Sequence, residues 1–295
     1  MSEILIKKPK VLVIVGPTAS GKTSLSITLA KKLGGEIVSA DSRQVYRGLD
    51  IGTGKVTKQE MGTIPHHLLD VVEPTEIYTV ADYVRDGRNA LTDIISRKKL
   101  PIIVGGTFLY VDALLGKIST PEVAPNIALR NHLETLPTEE LFTLLKEKDS
   151  TRAESIDKDN RRRLIRALEI VEAIGTVPKT ESTELYETLT IGISISKEEL
   201  KENISKRLND RLAHGMIEEV QNLHAKGLSY TRLGELGLEY KYIGEFLQNN
   251  ISREEMCAQI ETKSMQYAKR QMTWLKRNTG IKWFRLGEVE KIEWV

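Results

Sequence analysis

The feature that most constrains this chain is an apolar run, Val11-Leu12-Val13-Ile14-Val15, followed without a break by Gly16-Pro17-Thr18-Ala19-Ser20-Gly21-Lys22-Thr23. Five successive branched side chains with no polar alternation read as a strand covered on both faces, as in a parallel sheet. The next eight residues fit G-x-x-x-x-G-K-[ST], and the pattern continues as a helix over Ser24–Leu33. Strand, glycine loop and helix in that order aim backbone N–H groups and a helix N-terminus at one point, which makes a seat for phosphate. Lys22 would neutralise phosphate oxygens, and the Thr23 hydroxyl suits Mg²⁺. The class that follows is α/β, with a P-loop parallel-sheet core.

A phosphate seat does not name its ligand, so the neighbouring strand ends must. Glu36-Ile37-Val38-Ser39-Ala40-Asp41-Ser42 reads as a short buried strand ending in a carboxylate. In open α/β sheets ligands bind beyond the carboxyl ends of the strands, so Asp41 is expected to face the phosphate loop. There it would act as a general base or hold a metal through water; a turn Asp bonded to its own backbone is the plainer alternative. Pro101-Ile102-Ile103-Val104 is a further strand running into Gly105-Gly106-Thr107. The glycines read as room for a ligand near the backbone and Thr107 as a donor to a leaving oxygen, although a tight strand-to-helix turn explains the same residues. Leu68-Leu69-Asp70-Val71-Val72 reads as one more buried strand.

Beyond these strands the pattern changes. Residues 119–187 are helical and polar, punctuated by Pro121, Pro125, Pro137 and Pro178; Leu189–Ile195 returns as a strand, and long helical patterns follow over Glu198–Lys226 and Ser252–Asn278. Lys282–Leu286 reads as a last short strand. A chain of 295 residues thus divides into a core, 1–118 and 188–295, and an inserted all-helical domain, 119–187. The single cysteine, Cys257, excludes an internal disulfide and a multi-cysteine zinc site. No apolar run approaches the ~20 residues that cross a bilayer. No secretory pattern follows Lys7, Lys8 and Lys10, so a cytoplasmic protein without a membrane partner is expected.

With 43 basic against 41 acidic residues, total charge is silent on partners, but its distribution is not. Arg161, Arg162, Arg163 and Arg166 place four arginines in six residues of the insertion. Residues 255–285 hold seven Lys or Arg against Glu255 and Glu261. At ~100° per residue, Lys263, Arg270 and Arg277 share one helix face with Tyr267 and Trp274, opposite Ile260, Ala268, Met272 and Leu275. A basic face with aromatics suits phosphates and unstacked bases, while aromatics at helical spacing also serve as packing.

Taken as an ordered set, these residues resemble the tRNA dimethylallyltransferase (tRNA isopentenyltransferase) family of bacterial type, over most of the chain. The match runs through Gly16–Thr23, Asp41-Ser42-Arg43-Gln44-Val45-Tyr46-Arg47, Asp50-Ile51-Gly52-Thr53, Pro65-His66-His67-Leu68-Leu69-Asp70 and Gly105-Gly106-Thr107. It continues through Asn160–Glu169 and Ala268–Leu275. The resemblance implies transfer of a dimethylallyl group from dimethylallyl diphosphate to N6 of adenosine 37 in tRNAs reading codons that begin with U. It further implies Mg²⁺ as cofactor with Thr23 as its ligand, Asp41 as base, Thr107 and Arg207 as catalytic partners, and Gly16–Thr23 holding the diphosphate. The anticodon stem-loop would meet Asp41, Ser42, Arg43, Gln44 and Thr107, with Arg130, Arg162, Arg163, Leu164, Ile165, Arg166, Arg270 and Trp274 as further contacts. The chain departs from the pattern at Gly237-Leu238-Glu239-Tyr240, where many members have Gly-Tyr and this one places glutamate before the tyrosine.

Two other classes fit parts of the sequence. An ATP-binding small-molecule P-loop kinase would use the loop and Asp41 but leave the basic helix and arginine run unexplained. A non-catalytic RNA-binding protein would leave Lys22, Thr23, Asp41 and Thr107 without purpose. Nothing in the sequence demands a dimer, and a monomer is expected.

Overall fold

The structure, a computed structural model, describes residues 8–118, 121, 123–178 and 183–291. Ser119, the expected start of the insertion, lies outside them. The chain divides into two compact units, one of residues 1–115 and 184–295, the other Gly116–Thr183.

The first unit begins with β1 (Lys10–Val15), α1 (Lys22–Leu33), β2 (Gly35–Ser39), α2 (Lys58–Met61), β3 (His66–His67), α3 (Val80–Ser96), β4 (Leu100–Val104) and α4 (Phe108–Leu114). The second holds α5 (Ile127–Leu133), α6 (Thr138–Lys148), α7 (Ser150–Ser155) and α8 (Arg161–Ile174). The first then resumes with β5 (Glu187–Ile193), α9 (Lys197–Ala213), α10 (Met216–Ala225), α11 (Tyr230–Leu236), α12 (Leu238–Leu247), α13 (Arg253–Leu275) and β6 (Ile281–Phe284).

Among the described residues six strands form one sheet in the order β3-β2-β4-β1-β5-β6, every pair parallel. The apolar run of β1 is explained by this place. Val11, Val13 and Val15 enter one core cluster with Tyr83, Leu91 and Leu114, and Leu12 and Ile14 enter another with Leu25, Leu29 and Ala30 of α1. Successive side chains of a strand point to opposite faces, so a strand covered on both needs no polar position. At ~1.5–3 kcal/mol for each fully buried aliphatic side chain, β1 alone contributes on the order of 10 kcal/mol of burial. β4 repeats the device with Ile103 on one face and Ile102 and Val104 on the other.

Three local expectations change. The strand expected over Leu68–Val72 is His66–His67 instead. Leu68 and Asp70 have φ of 64° and 54°, in the left-handed region that no strand tolerates, and only Val72 makes an isolated bridge, to Tyr46. Asp70 serves structure: its carboxylate takes the buried Lys55 Nζ at 2.5 Å, and Asp50 takes the same ammonium at 2.6 Å. The pattern over Glu198–Lys226 is two helices, because Gly215 at φ 94° ends one and starts the next. Glu187, at the expected edge of the insertion, is the first residue of β5 and pairs with Lys10.

The second unit closes around Leu133, Leu141, Leu145, Leu164, Leu168 and Val171. One buried carboxylate organises its charge. Glu169, 1% exposed, accepts Nε and Nη2 of Arg130 at 2.8 and 2.7 Å, the Arg166 guanidinium, and the Asn126 N–H at 2.6 Å. Burial alone would raise its pKa, but the bonds from Arg130, Arg166 and Asn126 outweigh that and hold it at about 2. A carboxyl depressed on folding stabilises fully above its unfolded pKa of ~4.3, and that contribution fades as pH falls towards 2. Thermal melts followed by circular dichroism should therefore show an acid limb that flattens in Glu169→Gln, with the neutral-pH plateau lowered by about 3 kcal/mol through two guanidinium groups left without their anion.

Candidate active site

β4 is hydrogen-bonded to both β1 and β2, so the carboxyl ends of these three strands are neighbours. From those ends run the phosphate loop, the Asp41 turn and Gly105-Gly106-Thr107. Backbone bonds knit them together: Ala40 N–H to Val104 O at 2.7 Å, Gly105 N–H to Ile14 O at 3.4 Å, and Thr107 N–H to Ala40 O at 3.1 Å. A cavity of about 770 Å³ opens above them, bounded also by the 50–57 loop, one face of α9, and Tyr267 and Gln271 of α13.

The loop has the shape its composition promised. Gly16 at φ 156°, Ala19 at 60° and Gly21 at 86° turn the backbone through left-handed conformations before α1 begins. Lys22 Nζ donates to the carbonyls of Gly16 at 3.0 Å and Pro17 at 2.6 Å. Burial, and then the charge of Arg207, push its ammonium down to about 7, with Asp41 opposing. A lysine so desolvated gains its full charge when an anion arrives. Ser20 Oγ is buried with no partner among the described residues, an orphaned polar atom inside the loop. Both features fit a phosphate-bearing ligand; Thr18 and Thr23 line the same space.

Asp41 lines the cavity. Its Oδ1 accepts the N–H of Arg43 at 2.8 Å and of Gln44 at 3.4 Å. One oxygen thus holds the turn, as the plainer alternative expects, and among the described residues no hydrogen bond engages Oδ2. Thr107 stands behind this turn. Its Oγ1 accepts the Ser42 N–H at 3.1 Å and lies 3.4 Å from Ser42 Oγ. Gln44 lines the cavity with its amide near the Gly54 carbonyl, at 3.3 Å.

The glycine pair is also tightly fitted against the protein itself. A Cβ on Gly105 would lie 2.1 Å from the Ala40 carbonyl oxygen, and one on Gly106 2.2 Å from Gln271 Nε2. Gly105 thus packs against backbone and Gly106 against a side-chain amide, and both also line the cavity. Gln271 is the residue sequence reasoning passed over. Buried on the core face of α13, its Oε1 accepts the Thr18 N–H at 2.8 Å while Nε2 donates to Gly106 O at 3.0 Å, tying the phosphate loop to the end of β4. A glutamine in an otherwise apolar arc was the available signal.

α9 supplies the far wall. Leu200, Ile204 and Leu208 face the core, and adjoining rows at i, i+4 spacing carry Asn203, Arg207 and Arg211, and Lys206, Asp210 and His214 along the cavity. Asn203 Nδ2 donates to Ala19 O at 3.1 Å and Arg207 Nη2 to Thr18 Oγ1 at 2.8 Å. Burial first, then the neighbouring Arg211, lowers Arg207 to about 10, while Glu239 and Asp41 support its charge. Of this face only Arg207 was anticipated.

The expected nucleic-acid contacts separate into two groups. Arg162 and Arg163 are exposed on α8 and make no ion pair among the described residues. Arg130 and Arg166 are committed to Glu169, and Leu164 and Ile165 are buried, so those two side chains pack the unit's core and cannot meet a ligand. On α13, Arg270 is exposed and lies over the Tyr267 ring, 5.8 Å from its centroid. Trp274 is a packing residue: it joins the β1 core cluster, and its Nε1–H donates to Asp112 at 3.3 Å.

Gln271→Leu keeps the volume but strands the Thr18 N–H and Gly106 carbonyl. Denaturant titration should show a loss of about 1–3 kcal/mol, and diphosphate titrated calorimetrically should bind more weakly.

The family model described as IPP transferase matches residues 44–278, and the one described as Isopentenyl transferase matches residues 9–76. A tRNA dimethylallyltransferase of Bacillus mycoides (strain KBAB4) is 40% identical, covering 97% of this chain and 93% of its own. A tRNA dimethylallyltransferase 2 of Shewanella sediminis (strain HAW-EB3) is 43% identical over 92% of this chain and 90% of its own. Among solved structures, a full-length tRNA isopentenylpyrophosphate transferase of Bacillus halodurans aligns with a TM-score of 0.70 at 35% identity, covering 95% of this chain and 90% of the other. A eukaryotic dimethylallyltransferase acting on tRNA aligns at 0.81 and 28% identity, over 96% and 76%.

Proposed function

The chain belongs to the tRNA dimethylallyltransferase family and is a transferase that prenylates tRNA; within that activity we propose that it moves the dimethylallyl group of dimethylallyl diphosphate to N6 of adenosine 37 in tRNAs reading codons that begin with U, releasing diphosphate. One observation carries this reading: Arg207 reaches the phosphate loop through Thr18 in the same cavity that Asp41 lines, so a cationic diphosphate seat and a carboxylate share one space.

The chemistry follows from that pairing. The allylic C–O bond breaks and its electron pair leaves with diphosphate, whose growing charge Lys22, Arg207 and the loop N–H groups stabilise. The N6 lone pair, delocalised into adenine and weakly nucleophilic, forms the new C–N bond, and the N6 proton passes to Asp41 Oδ2. Thr107 acts through the turn, keeping the Asp41 carboxylate in place by its bond to Ser42. Among the described residues no group of three or more His, Cys, Asp or Glu could hold a metal ion. Mg²⁺ binds through one or two protein groups with substrate phosphates and waters; Thr23 would hold it, and when bound it would neutralise the diphosphate.

The adenosine must leave the anticodon-loop stack, at a cost of a few kcal/mol. Tyr267 lines the cavity beneath Arg270 and supplies a ring for an unstacked base, while Arg162 and Arg163 remain to meet tRNA phosphates. Ser42, Arg43 and Gln44, on the Asp41 turn, would meet the target nucleotide. We assign the reaction to the cytoplasm and to a single copy of the chain. Among the described residues no helix is long and apolar enough to cross a membrane.

Incubated with Mg²⁺, dimethylallyl diphosphate and an unmodified tRNA carrying adenosines at 36–38, the protein should add the mass of one dimethylallyl group at position 37. ATP-dependent phosphorylation of a metabolite with the tRNA unchanged would establish the kinase instead. Asp41→Asn should keep tRNA affinity and lose ~10²–10⁴-fold in transfer. Replacing Arg162 and Arg163 by glutamate should weaken tRNA binding and flatten its dependence on salt by about 0.7–0.9 per lost phosphate contact in a log–log plot, as read by filter binding.

A further inference from the structure

Arg211 follows Arg207 by one turn of α9 and lines the same cavity, yet its Nη1 is already engaged. It donates to the Gly52 carbonyl at 3.0 Å and to Glu239 Oε1 at 3.4 Å. The ion pair is largely withdrawn from water, with side chains 12% and 18% exposed, so solvent screens it poorly. Glu239 stands in the first turn of α12.

The surroundings keep Arg211 in this arrangement. A Cβ on Gly54 would sit 1.7 Å from Arg211 Nη2, so the loop closes directly against the guanidinium. That loop is itself pinned. Glu219 accepts the N–H groups of Asp50, Ile51 and Gly52 at 3.0, 2.7 and 3.0 Å, and takes the hydroxyl of Tyr240, the neighbour of Glu239, at 2.7 Å. The influence of Glu239 also extends to Arg207, whose charge it supports against burial and against Arg211.

We propose that Glu239 is a positioning residue that neutralises Arg211 and holds it from the anion in the cavity, leaving Lys22 and Arg207 to grip the donor diphosphate and letting product diphosphate leave. The inference rests on the cavity being the diphosphate site argued above. Without the carboxylate, Arg211 would add an uncompensated positive charge beside a polyanion, and affinity would rise where a merely structural residue could only lower it.

The experiment is calorimetric titration of inorganic diphosphate with Mg²⁺ into the full-length protein and into Glu239→Gln, Glu239→Gly, Arg211→Gln and the double variant Glu239→Gln/Arg211→Gln. Melting curves establish that each is folded, and either substitution at 239 suffices for the reading. Loss of the carboxylate should tighten diphosphate binding roughly three- to ten-fold, the scale of one partly buried charge pair, and steepen its salt dependence. In the Arg211→Gln background the same substitution should bring no gain in affinity. Binding unchanged or weakened in folded Glu239 variants, or a gain that persists without Arg211, overturns the proposal alone. A wild-type protein that binds no diphosphate overturns the donor-site reading, and the proposal with it.

Discussion

The site depends on the backbone pairing that sets β4 between β1 and β2. Parallel pairing aligns the carboxyl ends of three strands that are far apart in the chain, and the fit at that edge is tight enough that Gly105 has no room for a side chain against Ala40. Each strand end then carries a different element of the chemistry: an anion cradle, a carboxylate, and a hydroxyl that steadies the carboxylate's turn. Gln271 closes the arrangement from outside the sheet.

Around that frame, positive charge is gathered at a cost. Lys22 and Arg207 are both pushed towards neutrality by burial and by neighbouring cations. Carboxylates oppose this: Asp41 supports Lys22 and Arg207, and Glu239 pairs with Arg211. The second unit follows the opposite rule. There Glu169 is the buried ion, and Arg130 and Arg166 satisfy it. An arginine run that looks uniform in sequence is thus divided by its helix, two members exposed and the others bonded inward.

Legibility tracked the range of the interactions. Motifs that act within a few residues, the phosphate loop and the alternation in β1, could be read directly, because backbone sterics and strand period operate locally. Readings that needed a partner from elsewhere were incomplete or wrong in cause. The glycine pair was open to a ligand or a tight turn, and its packing against Ala40 and Gln271 was not legible. Leu68–Val72 looked like a strand by hydrophobicity, and two left-handed residues prevent it. Trp274 looked available for a base until Asp112 and the core cluster claimed it.

By itself the sequence determined the class of fold, the phosphate seat, the carboxylate at the end of β2 and, through an ordered set of motifs, the family. The tertiary structure alone decided which charges face the cavity. Arg207 and Arg211 are the same residue type on one helix face, yet one reaches Thr18 and the other is held by Gly52 and Glu239. The physical reason is that a charge acts through the groups within a few ångströms of it, and those groups come from segments that only folding brings together.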